Sequence, residues 1–179
     1  YLQFAMHLLD KIFKKRQWIL LYNFRKDFNI LQKMDFCEIF PPVSGFWADP
    51  FPFFFLGEYY IFFEELEYKI QKGFLSVLKI QRDGSTSKIS QVLELDSHLS
   101  FPFIFEHNGS VYLMPESQKS GKLQLYEADI FPEKWTHKAN LLEEFKGVDT
   151  VLKKIGDVWW LFTTLKDNND VSGHEELHI

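Results

Sequence analysis

Cys37 is the only cysteine in the 179-residue chain, so an internal disulfide is excluded and nothing demands an oxidising compartment. A lone thiol is compatible with the cytosol without requiring it, and a single cysteine among unrelated neighbours reads as a small buried hydrophobe. No apolar run approaches the roughly 20 residues that cross a bilayer, so no transmembrane segment is expected. The amino end, YLQFAMHLLDKIFKKRQW, carries its apolar residues ahead of its basic cluster, the reverse of a secretory signal. It does not begin with Met, and the chain reads as part of something longer. Basic residues are scattered through a chain of net charge −5, which argues against nucleic acid and anionic membrane as partners. Gly-rich phosphate loops, Walker patterns and nucleophile elbows are missing too. The histidines show no tight ligand spacing beyond His174-x-x-x-His178. That segment reads as a strand, which separates the two by about 13 Å, so neither metal nor other cofactor is expected.

What the chain does have is aromatic rings. They make up 18% of residues, with 20 Phe, and aromatic side chains suit pleated, half-buried surfaces, so the composition leans towards β structure. Such rings could stack on sugars, but an excess dominated by Phe reads first as core. The length suits one domain with a sizeable core and is short for two.

Three segments of the chain resemble one another: ADPFPFFFLGEYYIFFEE from Ala48, SFPFIFEHNGSVYLMPES from Ser100, and VDTVLKKIGDVWWLFTT from Val148. Aligned on Gly57, Gly109 and Gly156, each reads as an apolar strand, a tight glycine turn and an aromatic strand, the signature of a β-hairpin. The aromatic positions are Tyr59-Tyr60, Val111-Tyr112 and Trp159-Trp160. Asp49, Phe101 and Asp149 open the units, giving a repeat of about 50 residues, the period of propeller blades. Two further strands follow each of the first two hairpins: 74–80 and 89–95 after the first, 122–128 and 137–142 after the second. The third is followed by 175–179. Lys72-Gly73 and Arg82-Asp83-Gly84 read as ordinary turns, the stretch around Phe131-Pro132 as a polar connection, and 167–170 as a loop.

The expectation is therefore an all-β chain, part of a five-bladed β-propeller of four-stranded antiparallel blades, about three of them present. Blade I covers about 47–96, blade II about 98–145, and blade III starts near 147 and is truncated. Residues 1–17, with Phe4, Leu8, Leu9, Ile12 and Phe13 near helical spacing, read as a linker or helix from a preceding region. Residues 18–24 (WILLYNF) read as a strand completing the last blade of a ring whose other blades lie further along the chain.

Antiparallel pairing sets the start of a hairpin's first strand beside the end of its second. Asp49 should then neighbour Glu64, Phe101 should neighbour Glu116, and Asp149 should neighbour Thr163. If these strands are innermost, Asp49, Glu64, Glu116 and Asp149 converge on one mouth of a central channel, with His98 just ahead of the second blade. Carboxylates gathered on a rim suit acid–base chemistry or the binding of a hydroxyl-rich ligand or a cation. Each also has a structural reading as a turn former or backbone acceptor.

Trp47-Ala48-Asp49-Pro50-Phe51, Phe62-Phe63-Glu64, the run His98 to Phe103 (HLSFPF) and Pro115-Glu116-Ser117 form an ordered set. It resembles the propeller domain at the amino end of plant glucosamine inositolphosphorylceramide transferases. That domain is similar in turn to the five-bladed arabinanase, xylosidase, invertase and levansucrase superfamily. The resemblance implies a carbohydrate or glycoconjugate ligand, with Asp49 as base or nucleophile and Asp149 as the carboxylate that orients the substrate or tunes the acid. It also implies further blades or a neighbouring catalytic domain. The family's general acid would fall beyond Ile179; Glu116 as acid with Asp49 as base is an alternative pair, different from the family's. Glu64, His98, Trp47 and Glu116 are the candidates for lining a sugar pocket. Glycoside cleavage needs an acid and a base roughly 5 Å apart for retention or about 6.5–9.5 Å for inversion. The alternative is a non-catalytic glycan-binding or scaffolding module attached to a glycosyltransferase or formyltransferase-like enzyme.

Overall fold

A computed structural model describes residues 17–24, 35–165 and 176–179. Of the expected linker or helix at 1–17 only Gln17 is described, outside any helix or strand, and the expected loop at 167–170 and His174 fall outside the described residues. Apart from one 3-10 turn at Gln118–Ser120, every described element is a β-strand. The all-β expectation holds.

The first two strands, β1 (Leu20–Tyr22) and β2 (Cys37–Ile39), pair antiparallel in a small sheet of their own. The strand read at 18–24 is thus present, but its partner is a segment that the sequence did not flag. Cys37 is exposed there, not buried, because β2 has only β1 beside it. A four-stranded sheet follows, in the order β3 (Gly45–Phe55), β4 (Glu58–Glu67), β5 (Lys72–Ile80), β6 (Ser90–Leu93). The second repeats the pattern with β7 (Ser100–His107), β8 (Ser110–Glu116), β9 (Lys122–Ile130) and β10 (Lys134–Glu143). The third contains β11 (Gly147–Ile155), β12 (Val158–Leu165) and β13 (Glu176–His178). All pairings are antiparallel.

The hairpin turns follow from their residues. Leu56-Gly57 and Asn108-Gly109 both take positive φ at both central positions, the turn whose twist matches that of the flanking strands. In the third hairpin Gly156 occupies the first central position instead of the second. Alignment on the glycines is therefore one residue off at that end. Register places Thr164, opposite Val148, where Glu64 stands opposite Ala48 and Glu116 opposite Ser100. Thr163 instead faces the bulge, where its hydroxyl meets that of Thr150 at 2.8 Å.

That bulge recurs in all three sheets. The ladder slips between Ala48 and Phe51, between Ser100 and Phe103, and between Val148 and Val151. The first extra residue is Asp49, Phe101 or Asp149, with φ of 49°, 41° and 51°. Left-handed backbone is tolerated by Asp better than by most residues and poorly by Phe, so its repetition points to a shared requirement. Prolines at positions 50, 52 and 102 fit because β3 and β7 are edge strands, where a missing N–H costs no ladder bond on the outer side.

Packing is between sheet faces. Phe62, Leu75 and Val77 of the first sheet meet Ile104, Val111 and Leu113 of the second. On the opposite face Trp47, Ile61, Phe63, Leu78 and Ile80 meet Leu20 of β1. Strand β4 is thus buried on both faces through Ile61–Glu64, which is why it reads as a continuous apolar run. Strand β3 has exposed positions along its length because it is the sheet's edge. Phe131, in the connection read as polar, inserts among Phe53, Phe55, Tyr60, Phe62 and Trp135. The edge strand β3 lies against β7, and β11 lies against β7 and β8, so the hairpins open towards one another.

Candidate functional site

The three bulges bring the hairpin ends together. Asp49 Oδ2 accepts the backbone N–H of Phe101 from the next sheet at 3.2 Å. Glu116 Oε2 accepts that of Asp149, again from the next sheet, at 2.9 Å. A left-handed bulge turns its N–H away from the hairpin ladder, and at Phe101 and Asp149 a carboxylate of the preceding sheet takes it. Asp49 also interacts electrostatically with Asp149, as does Glu116 with both aspartates. Asp49, Glu116 and Asp149 therefore occupy one end of the assembly.

Asp49 and Asp149 are open to solvent, while Glu116 is half-buried. Desolvation in the crowded bulge, then the neighbouring Glu64 charge, push the Asp49 carboxyl above its ordinary range, opposed by the Phe101 N–H. Burial also pushes Glu116 up, against the Asp149 N–H, with the Asp149 and Asp49 charges adding to the rise and a bond from Ser100 opposing it.

Behind this row lies Glu64, only 6% exposed at the end of the apolar run of β4. Its Oε1 meets His98 Nε2 at 3.1 Å. Gly73 N–H donates to His98 Nδ1 at 3.0 Å, so His98 in this arrangement carries its proton on Nε2 and points it at Glu64. Gly73 grips the same segment a second time, its carbonyl accepting Leu99 N–H at 2.9 Å. The hydrogen bond to Glu64 raises the His98 pKa, partial burial opposes it and the Glu64 charge adds to the rise, while the Gly73 N–H occupies the lone pair on which a second proton would land.

Gly73 was read from the sequence as turn chemistry. It lies within β5 instead, and a Cβ there would stand 2.6 Å from Leu99 O and 2.8 Å from both Glu64 Oε1 and His98 Cε1. Its signal was its glycine identity inside an otherwise apolar strand pattern. Trp47 does not join the rim: its ring is buried at 3% exposure and packs on Phe63 with centroids 5.0 Å apart. Its indole N–H has no partner among the described residues. A small crevice between the second and third sheets is lined by Phe101, Glu116, Ser117, Gly147 and Thr150. No group of three or more His, Cys, Asp or Glu side chains suited to a metal occurs among the described residues. No helix among them is long and apolar enough to cross a membrane.

Residues 36–179 match the family described as glucosamine inositolphosphorylceramide transferase 1, N-terminal. The chain is similar to the glucosamine inositolphosphorylceramide transferase 1 of Oryza sativa subsp. japonica, 31% identical over 137 residues, which is 76% of this chain and 18% of the relative. It is also similar to the protein of the same name from Arabidopsis thaliana, 35% identical over 119 residues, 66% of this chain and 15% of the relative. The chain thus spans less than a fifth of the length of these relatives.

Proposed function

Since the chain belongs to the family of the N-terminal domain of glucosamine inositolphosphorylceramide transferase 1, we propose that it is part of a five-bladed β-propeller whose acidic rim binds a glycan or glycoconjugate. The bound sugar would be held for a transferase activity elsewhere in the protein. Support for the propeller comes from three equivalent hairpins with equivalent bulges, and from edge strands β3, β7 and β11 gathered together. The sheet of β1 and β2 covers the face of the first sheet remote from the second, where a neighbouring blade would pack.

The observation that carries the binding reading is the convergence of Asp49, Glu116 and Asp149 on one rim, backed by Glu64 and His98. Carboxylates accept hydrogen bonds from several sugar hydroxyls at once and attract an ammonium group. The same charges repel phosphate, so the rim suits the hydroxyl-rich or amino-bearing part of a glycoconjugate and not its phosphate.

A glycosidase-like reaction is the second reading, favoured by the burial that raises Glu116 and suits it to proton donation. There Asp49 would be the base and Asp149 the orienting carboxylate. Asp49 Oδ2 is already held by the Phe101 N–H, which makes it a weaker candidate for that part, so binding is the preferred reading. A glycan array including hexosamine- and inositol-linked glycans, probed with the wild type, Asp49→Ala and Asp149→Ala, tests it. Loss of binding in both variants is expected. If the folded variants bind every glycan as the wild type does, or the wild type binds none, the rim reading fails. Release of free sugar by the wild type, lost in Glu116→Gln, would favour the second reading.

A further inference from the structure

Resting on the rim reading, the middle bulge carries one step more. Asp49, Phe101 and Asp149 hold equivalent bulge positions and all take left-handed backbone, Phe101 at a φ of 41°. A short polar side chain tolerates that region through local hydrogen bonds, whereas a phenyl ring gains none. Phe101 also precedes Pro102, and a proline pushes the residue before it towards extended backbone. Its neighbours hold it there all the same. Asp49 Oδ2 takes its N–H at 3.2 Å, Ser100 before it pairs with Glu116, and Pro102 after it is fully buried. A strained residue fixed in this way is a mark of sites that meet a ligand.

We propose that Phe101 is the aromatic platform of the rim, on which the C–H face of a sugar ring stacks while the flanking carboxylates take its hydroxyls. Its place fits that role. On one side its backbone is bonded to Asp49, and on the other it lines the crevice with Glu116, Gly147 and Thr150. It therefore stands between the acidic bulge of the first sheet and the start of the third. The residue is half-buried, so it is anchored without being enclosed. Nor does it behave as the core aromatics do. Phe103, two positions on, packs against Phe51 and Phe105 with centroids 5.4 and 5.6 Å apart. Among the described residues Phe101 pairs with no other ring. The ligand class is a six-membered polyol ring with mainly equatorial hydroxyls. Its axial C–H groups form an apolar face for the phenyl ring, and its hydroxyls point outward to the carboxylates.

The test compares the wild type, Phe101→Leu and Phe101→Tyr on an array of hexosamine- and inositol-linked glycans. Leucine keeps apolar bulk and the unfavourable backbone but has no ring, whereas tyrosine keeps the ring. Phe101→Leu should bind roughly 3- to 10-fold more weakly, the worth of an aromatic contact beyond its buried area. Phe101→Tyr should bind as the wild type does; a loss equal to that of leucine overturns the platform. In the wild type, the Phe101 ring protons are assigned by their absence from Phe101→Tyr. They should shift in NMR spectra when the tightest-binding glycan of the array is added, and C–H protons of that sugar should move upfield. Unshifted ring protons overturn the proposal, as does a folded Phe101→Leu that binds like the wild type. If Phe101→Leu does not fold, the ring protons decide. Binding lost in Asp49→Ala and Asp149→Ala but unchanged in Phe101→Leu sinks the platform and leaves the rim reading standing. A wild type that binds no glycan overturns both.

Discussion

The carboxylate of Glu116 accepts the backbone N–H of Asp149, 33 positions along the chain and in the next sheet, at 2.9 Å. One sheet lower, Asp49 does the same for Phe101 across 52 positions. These bonds join neighbouring sheets at the ends where the candidate site lies, so the same carboxylates clasp the sheets and line the rim. Glu116→Ala should cost about 1 kcal/mol in chemical denaturation, the worth of a charge-assisted bond at a partly exposed position. Glu116→Gln keeps a carbonyl acceptor and should lose less. The Asp149 amide should exchange with solvent faster in the alanine variant than in the glutamine variant; equal rates would mean that the bond does not form.

Stability should fall as pH rises through the acidic range, in so far as the rim controls it. Asp49 and Glu116 both have folded-state pKa values raised above the ordinary carboxylate range. Folding therefore binds protons, and the stabilisation is fully present below the unfolded pKa values of about 4 and is lost as pH climbs through the folded ones. Ion-paired Glu58, Glu94, Glu127 and Glu143 are lowered and act in the opposite sense. They cancel when the wild type is compared with Asp49→Asn and Glu116→Gln. The wild type should lose stability relative to either variant as pH rises from about 4, measured by urea unfolding at a series of pH values. A difference that grows the other way would contradict the upward shift of these two carboxyls.

Gly73→Ala should damage the site from a distance. The new methyl group would press on a backbone carbonyl, a buried carboxylate and an imidazole at once. Overpacking of this kind costs typically 1–3 kcal/mol. The expected signature is a lowered melting temperature together with a changed His98 ring spectrum, since its Glu64 contact has to lengthen. Thermal unfolding and His ring NMR check both. Gly57→Ala is the control: nothing lies within 4 Å of its Cβ position, so only the cost of positive φ remains.

The fold was legible because β-hairpins announce themselves locally. Gly57 and Gly109 mark their turns, and the apolar and aromatic runs on either side mark the strands. Asp49, Phe101 and Asp149 could be aligned because the repeat preserves the bulge even where its residue changes. What could not be read was anything set by the neighbour of a strand. Cys37 looked like a buried residue, yet β2 has a single partner and leaves it exposed. Trp47 was a candidate for lining a sugar pocket, yet the β1 side covers it. The third hairpin's register moved by one because Gly156 changed its place in the turn, a difference invisible without backbone geometry. Gly73 was missed for the same reason: its role is to leave space for two side chains that lie far from it in sequence.

The reading of the aromatic excess as core yields the sharpest stability contrast. Phe62 is fully buried, flanked by Phe131 and Trp135 across the interface between the first two sheets. Phe54, eight positions earlier, is 59% exposed and its ring leans on Tyr59. Phe62→Ala removes a large ring from a site whose neighbours are held by two sheets and cannot collapse inward. It should cost about 3–5 kcal/mol. Phe54→Ala should stay within about 0.5 kcal/mol, since it removes little buried surface. Equilibrium denaturation of the two variants side by side measures the contrast. Similar losses would mean that the sheets do not pack through β4, and with that the convergence of the hairpin ends would lose its cause.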